Sequence, residues 1–81
     1  MRAYVLLRVQ PQETTRLLHD LEQNEHVLEA SLIHGLYDCL LIVQAKDFES
    51  LNAAVLEIRS MPGVLESVTS LIVHSWQRRA A

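Results

Sequence analysis

Hydrophobic residues have helical spacing in two segments of the chain and form denser apolar runs in four others, of which the middle two are separated by a turn at Gly35–Leu36. Two segments space their hydrophobic residues three or four positions apart and predict helices. The first covers 13–24, and the second begins after a capping Asp47 and ends at Pro62–Gly63. The other four segments are rich in Val, Leu and Ile and predict strands; they are residues 3–9, 27–34, 37–45 and 64–75. The predicted order of elements is therefore βαββαβ.

The two halves of the chain resemble each other in sequence. The aligned pairs are VLLRVQ (5–10) with CLLIVQ (39–44), Leu17 and Leu21 with Leu51 and Val55, and, after a three-residue insertion, VLEAS (27–31) with VLESV (64–68). Each half is thus one right-handed βαβ unit. Two such units in tandem predict an α+β, ferredoxin-like fold, in which a four-stranded antiparallel sheet carries two helices on one face, as in dimeric α/β barrels.

The sheet face turned away from the helices, called the open face below, is predicted to be apolar. The repeat places Leu6, Leu40 and Ile42 together on it. A sheet with one solvated face would alternate apolar and polar residues, and an apolar patch on such a face favours an interface. We therefore expect a homo-oligomer, either a dimer or a dimer-based higher assembly. The alternative is a monomer with a few exposed aliphatic side chains.

Composition agrees with one small, self-associating domain. The 81 residues fit a single domain at 1–76 with a frayed tail at 77–81, and 49% of them are hydrophobic. A net charge of −3 argues against a surface for nucleic acid or anionic lipid. One cysteine and the lack of a cleavage-site pattern or membrane span favour a cytoplasmic location.

The sequence lacks the motifs of other functions that share this fold. RNA bases would need stacking aromatic residues on the central strands, but the third strand is aliphatic and the only candidate on the first is Tyr4. The loop after the first strand, QPQET, has neither the two cysteines of a metallochaperone nor the arginine and glycine of an acylphosphatase. The four histidines have no metal-ligand spacing, and Cys39 stands among aliphatic residues as a buried, inert thiol would. We therefore predict no catalytic residue, metal or cofactor, and no enzyme activity.

One short motif does point to a family. His34–Asp38 reads HGLYD, and the chain continues with AKDFESL into the second helix and MPGV into the last strand. In this arrangement the sequence resembles the RAM domain, the effector-binding C-terminal half of the Lrp/AsnC transcription regulators. The resemblance covers nearly the whole chain. Family regulators also carry a helix-turn-helix, whereas Met1 here stands almost at the first strand, so the resemblance implies a stand-alone RAM domain that does not read DNA itself.

The resemblance also implies a pocket for a free amino acid, formed where dimers meet. The implied ligand-binding residues are His34, Gly35, Leu36, Tyr37 and Asp38, with Thr69 and Ser70 on the last strand. Gly35 is expected to permit a positive φ, and Asp38 to accept a hydrogen bond from an α-ammonium group. Each has a structural alternative: Gly35 serves only the turn, Tyr37 only packs, and Asp38 bonds only to backbone amides.

Three functional hypotheses remain open at this stage. The first is an amino-acid-binding, oligomerising module that modulates full-length Lrp/AsnC regulators. The second is a chaperone-like interaction or assembly module that binds no small molecule. The third is a subunit of an enzyme whose catalytic residues lie on another chain. Binding of free amino acids separates the first from the second.

Overall fold

The computed structural model describes residues 1–80 and contains the six expected elements in the expected order. They are β1 (Arg2–Val9), α1 (Thr14–Glu22), β2 (Val27–Leu32), β3 (Cys39–Gln44), α2 (Phe48–Arg59) and β4 (Val64–Ile72). A short 3-10 helix, Pro11–Glu13, precedes α1. Several boundaries differ from the prediction. The first strand begins at Arg2 rather than at residue 3, α1 covers 14–22 rather than 13–24, and the second strand ends at Leu32 rather than at residue 34. The third strand begins at Cys39 rather than at residue 37, and the last ends at Ile72 rather than at residue 75.

All strand pairs of the sheet are antiparallel, and the strand order is β2-β3-β1-β4. The ferredoxin-like α+β fold is thereby confirmed. The predicted sequence repeat is visible in the pairing, because the aligned residues Leu6 and Leu40 lie directly opposite each other on β1 and β3. The two halves are therefore related by an approximate twofold axis at the centre of the sheet. In this strand order, β2 and β4 are the two edge strands.

The hydrophobic core lies between the sheet and its two helices. Alternate residues of the central strands are buried, among them Val5, Leu7 and Leu41, each with no exposed surface. The helices contribute the residues that the repeat aligns; these are Leu17 and Leu21 on α1 and Leu51 and Val55 on α2. Fully burying one such aliphatic side chain is favourable by about 1.5–3 kcal/mol.

The helices begin and end where local chemistry dictates. Asp47 is the N-cap of α2, as predicted, and its carboxylate accepts a hydrogen bond of 2.8 Å from the Ser50 amide. After α2 the chain turns at Gly63, whose φ is +97° and where a Cβ atom would lie 2.6 Å from the Cβ of Glu13. This turn therefore requires glycine. In the described part of the chain, neither helix is long and apolar enough to cross a membrane.

Candidate functional site

The HGLYD motif, residues 34–38, forms a loop between β2 and β3 and is called the signature loop. Its ends are fixed, because the Ile33 amide donates to the Asp38 carbonyl at 2.9 Å and the Asp38 amide donates to the Leu7 carbonyl at 2.8 Å. His34, Gly35 and Leu36 are exposed between them. Within residues 1–80, the amides of 34–37 donate to no protein acceptor. The loop thus presents four amide donors to solvent or to a ligand.

Asp38 forms a hydrogen bond with a backbone amide, which is the structural role given above as the alternative to ligand binding. One of its carboxylate oxygens, Oδ2, accepts a hydrogen bond of 2.8 Å from the partly buried Val9 amide. This bond falls where the pairing of β1 with β4 shifts register between Arg8 and Val9. The side chain therefore satisfies an amide at the irregular end of β1. Its second oxygen has no hydrogen-bond donor in the described part of the protein.

Gly35 does not have the conformation that we expected. Its φ is not positive, since Gly63 is the one residue with a positive φ in the described chain. A Cβ atom at Gly35 would also meet nothing within 4 Å. The expectation of a positive φ at Gly35 is therefore wrong, because the loop closes through the hydrogen bonds of Ile33 and Asp38 without a left-handed residue. Two predictions remain for Gly35, which are close approach of a ligand and, as the alternative, a role in the turn alone.

Tyr37 lies against the open face of its own sheet. Its hydroxyl donates to Glu66 Oε1 at 3.2 Å, and the Arg8 guanidinium carbon lies 5.4 Å from the ring centroid. Arg8 also pairs with Glu66, with 3.2 Å between Nε and Oε2. These three partly exposed side chains hold the signature loop to β1 and β4, and each such contact contributes less than about 1 kcal/mol.

Thr69 and Ser70, the two candidates on the last strand, face opposite sides of the sheet. Thr69 pairs with the buried Val5 on the helix side, and Ser70 pairs with Tyr4 on the open face. Thr69 lines a groove of about 410 Å³ between α2 and β4, called the α2–β4 groove. Ser70 is not among its lining residues. The structure therefore separates these two candidates from each other.

The α2–β4 groove combines polar and apolar walls. Arg59, Asn52, Ser67 and Thr69 line it, and no carboxylate does. Its floor is formed by Leu51 and Val55, and its rim by two exposed side chains, Phe48 (61% exposed) and Leu71 (45% exposed). Among residues 1–80, Arg59 forms no salt bridge. The groove thus offers an unpaired cation and two hydroxyls beside an apolar surface.

Sequence reasoning missed most of this groove. Phe48 kept the helical spacing of a core residue, and Arg59 had no motif to single it out. The repeat offered one signal that Arg59 is distinctive. Arg59 and Glu22 are the last residues of their helices and stand at the same distance before the strands that follow, but they carry opposite charges.

The open face is apolar at its centre, as expected. Leu6 pairs with Leu40 and Tyr4 with Ile42, so all three predicted interface residues lie on this face, and each is half-buried. Val68 and Ile72 of β4 extend the same surface. The patch therefore crosses the three strands β3, β1 and β4.

Two side chains with potentially reactive groups, Cys39 and His26, make contacts within the fold. Cys39 is buried, and burial raises the pKa of its thiol, against a smaller lowering by its hydrogen bond with the Ser31 backbone. A thiol in this state is a poor nucleophile. His26 contacts the Gln44 carbonyl through Nδ1 at 3.1 Å. In the described residues, no three His, Cys, Asp or Glu side chains are grouped to hold a metal ion.

Comparison with known proteins identifies the family. The family model of the Lrp/AsnC ligand binding domain matches residues 2–81. The chain therefore belongs to this family, which consists of ligand-binding domains of transcription regulators and is not an enzyme family.

Individual relatives agree with this assignment. The chain is 29% identical over 80 residues to the HTH-type transcriptional regulator LysM of Sulfurisphaera tokodaii, and the match covers 94% of the chain and 55% of LysM. The chain thus spans about half the length of this curated relative. The crystal structure of TTHA0845 from Thermus thermophilus matches with a TM-score of 0.85 and 29% identity, over 95% of this chain and 98% of that one.

A further structure of the same fold was solved with a ligand. It is that of the transcriptional regulator NMB0573 of Neisseria meningitidis, in complex with L-Met. The TM-score is 0.86 and the identity 18%, over 95% of this chain and 52% of that one. At this identity the match shows a shared fold.

Proposed function

We propose that this chain is an amino-acid-binding and oligomerising module that acts in the cytoplasm on transcription through full-length Lrp/AsnC regulators, without contacting nucleic acid itself. Its family supports a regulatory role, and a protein of the same fold binds L-Met. The observation that carries the proposal is the α2–β4 groove, where Arg59 and the hydroxyls of Ser67 and Thr69 lie beside apolar side chains.

The groove offers groups that suit the α-carboxylate and the side chain of an amino acid. Its guanidinium and hydroxyl donors suit an α-carboxylate, because hydrogen bonds between charged groups are short and strong. Phe48 and Leu71 offer apolar surface for a ligand side chain. The volume of about 410 Å³ lies within the range of small-molecule sites.

The signature loop offers a group that suits the α-ammonium group of an amino acid. The free carboxylate oxygen of Asp38 suits an α-ammonium group, and the loop amides are further donors for a carboxylate. Within one subunit the loop and the groove do not face each other, since Tyr37 contacts the open face while Thr69 faces α2 on the other side of the sheet. We propose that the loop of a neighbouring subunit completes the groove.

The open face supports self-association of the chain. Leu6, Leu40 and Ile42 form the centre of an apolar patch, and burying it against a second copy is favourable by about 25 cal/mol for each Å² of apolar area. Binding of a ligand shared between subunits would then shift the oligomer state by mass action.

Titration calorimetry with free amino acids tests the proposal, and Thr69 and Ser70 provide a matched pair of variants. We expect an affinity between about 1 µM and 1 mM, because a small ligand offers few atoms for contact. Thr69→Val removes one hydroxyl from the groove and should weaken binding by about 10- to 150-fold, the loss of one hydrogen bond to a charged group. Ser70→Ala changes the next residue, on the opposite face, and should leave the affinity unchanged.

Two results would contradict the proposal. One is the absence of any binding at amino-acid concentrations of up to about 10 mM, at which a site of this affinity is largely filled. This result would favour the ligand-free interaction module. The other is equal binding by Thr69→Val and the native chain, which would place the ligand outside the groove.

A further inference from the structure

The polar cluster of Arg8, Tyr37 and Glu66 on the open face contains a fully paired carboxylate. Glu66 accepts a hydrogen bond from the Tyr37 hydroxyl on Oε1 and another from Arg8 Nε on Oε2, each at 3.2 Å. Both carboxylate oxygens therefore have a donor, and the one cation of the cluster balances its one anion. Charged groups are buried in proteins when they are paired and hydrogen-bonded in this way. The cluster can thus be covered by another molecule without leaving an unpaired charge.

The cluster lies directly beside the apolar patch of the open face. Arg8 of β1 pairs with Glu66 of β4. Two residues earlier on β1, Leu6 pairs with Val68. Two residues of a strand span roughly 7 Å, whereas a stable interface covers about 800 Å² on each partner, a patch about 30 Å across. A second copy that buries the centre of the open face around Leu6 and Leu40 therefore also covers the cluster.

The open face suits a copy of itself in charge. The strand residues on this face include two cations and two anions, which are Arg2, Arg8, Glu29 and Glu66. Their charges cancel, although the net charge of the whole chain is −3. A twofold contact places the same patch on both partners. Because this patch has no net charge, a second copy of the chain meets no net electrostatic repulsion there.

The cluster also ties the signature loop to this surface. Tyr37 belongs to the loop, and the next residue, Asp38, contacts β1 twice. Its amide donates to the Leu7 carbonyl and its carboxylate accepts from the Val9 amide, each at 2.8 Å. The end of the loop thus contacts three consecutive residues of β1, at 7–9. Covering the cluster excludes water from it, and hydrogen bonds are stronger where the dielectric constant is lower.

We infer that Tyr37 is a positioning residue of the open-face dimer, which links the signature loop to that interface. A second copy covers Glu66 and strengthens its hydrogen bond from the Tyr37 hydroxyl, so the loop is held more firmly in the dimer than in the free subunit. The coupling is reciprocal, so loss of this hydrogen bond weakens the dimer by the factor by which dimerisation strengthens it. This inference rests on the dimer of the proposed function, and it makes the position of Asp38 depend on that dimer.

Sedimentation equilibrium without any amino acid tests the effect on the dimer. Tyr37→Phe keeps the ring beside Arg8 and removes the hydroxyl, so a covered Glu66 has one oxygen without a donor. We expect its dimer dissociation constant to be about 10- to 150-fold higher than that of the native chain, the loss of one hydrogen bond to a charged group. Tyr4→Phe is the matched control, because it removes from the same face a hydroxyl that forms no hydrogen bond within residues 1–80. It should leave the constant unchanged.

Hydrogen exchange at two amides, measured as each chain is diluted through its own dimer dissociation constant, tests the effect on the loop. The Asp38 amide reports the loop. The Leu51 amide, which donates to the Asp47 carbonyl at 3.0 Å in α2, reports the stability of the rest of the fold. On dimerisation of the native chain, the Asp38 amide should gain at least about 10-fold more protection than the Leu51 amide. In Tyr37→Phe the two amides should gain protection equally.

Four results would overturn the inference. They are a native chain that stays monomeric, a Tyr37→Phe chain that dimerises as tightly as the native one, an equal weakening in Tyr4→Phe, and a native Asp38 amide that gains no more protection than the Leu51 amide. Because no amino acid is present, these results are independent of the calorimetric test. A chain that passes both tests but binds no amino acid would refute the proposed ligand and leave this inference intact.

Discussion

The two βαβ halves of this protein share their core positions and differ at several of their polar ones. Leu17 and Leu21 of the first half are buried, and so are their counterparts Leu51 and Val55. At the position that ends each helix, in contrast, the first half has Glu22 and the second has Arg59. The repeat therefore preserves what the fold requires, and its departures mark the surfaces that distinguish the two edges.

The open face shows the same difference. Arg8 on β1 pairs with Glu66, whereas the aligned position on β3 is Ile42, which lies opposite Glu29. The signature loop covers the first pair through Tyr37. At the other end, Trp76 of the C-terminal tail borders the same depression as Ile42 and Glu29. One half is thus held by a polar cluster, and the other is bordered by the Trp76 side chain of the C-terminal tail.

The largest expected effect is at the one open-face position where both halves carry leucine. Leu40→Asp places a carboxylate opposite Leu6, and removing its water without a partner costs several kcal/mol. We expect dimerisation to weaken at least about 100-fold, as measured by sedimentation equilibrium. Val73→Asp is the control, because Val73 lies beyond β4 and is almost fully exposed. Equal masses for Leu40→Asp and the native chain would show that the open face is not the interface.

The next prediction compares the two glycines. Gly63→Ala puts a side chain at a φ of +97° and against Glu13, so it should lower the free energy of unfolding by about 1–3 kcal/mol. Gly35→Ala meets no atom and should change it by less than about 0.5 kcal/mol. Urea denaturation of both variants measures the difference. Similar losses of unfolding free energy in the two variants would contradict the proposed difference between the turns at Gly63 and Gly35.

Asp38 allows its structural and ligand-binding roles to be separated. Asp38→Ala leaves the Val9 amide without its acceptor and should cost about 1–3 kcal/mol of stability. Asp38→Asn keeps a side-chain oxygen for that bond and removes the charge proposed to hold an ammonium group. It should retain most of the stability and lose most of the amino-acid affinity. Urea denaturation measures the stability of the two variants, and calorimetry measures their amino-acid affinity. A native affinity in Asp38→Asn would show that the Asp38 charge does not contribute to the site.

The smallest effect concerns the helix starts, which also differ between the halves. Hydrogen bonds from Ser50 lower the pKa of Asp47 at the start of α2, whereas α1 begins without a side-chain cap. Because the pKa of Asp47 is lower in the folded state than in the unfolded one, its stabilisation is present at neutral pH and is lost as acidification protonates the carboxylate. Asp47→Ala should therefore lower the melting temperature slightly at neutral pH. The gap from the native chain should close in acid, and a gap that stays constant with pH would contradict this account.

The sequence was sufficient for the fold because the core has a strong pattern. The spacing of the apolar residues and the repeat predicted the order of the elements, the four-stranded antiparallel sheet and the open-face patch around Leu6 and Leu40. The position of the HGLYD loop also followed, since it lies between two clear strands.

The site was less predictable, because its geometry depends on contacts between distant residues. Strand alternation alone separates Thr69 from Ser70, but that Thr69 faces a groove follows from how α2 packs beside the edge strand β4. Phe48 has the spacing of a core residue and is exposed, since it lies at the first turn of α2, on the rim of this groove. The φ of Gly35 depends on hydrogen bonds from Ile33 and Asp38, which no local pattern encodes.

The central claim is that an amino acid binds between the α2–β4 groove of one subunit and the signature loop of another, and mixing two variants tests it most directly. Thr69→Val impairs the groove and Asp38→Asn impairs the loop, so each chain alone should bind weakly. After the two chains are mixed and allowed to exchange subunits, some sites combine an intact groove with an intact loop. Calorimetry of the mixture should then detect a fraction of sites with native affinity. A mixture that binds no better than the separate variants would show that the site is not shared between subunits.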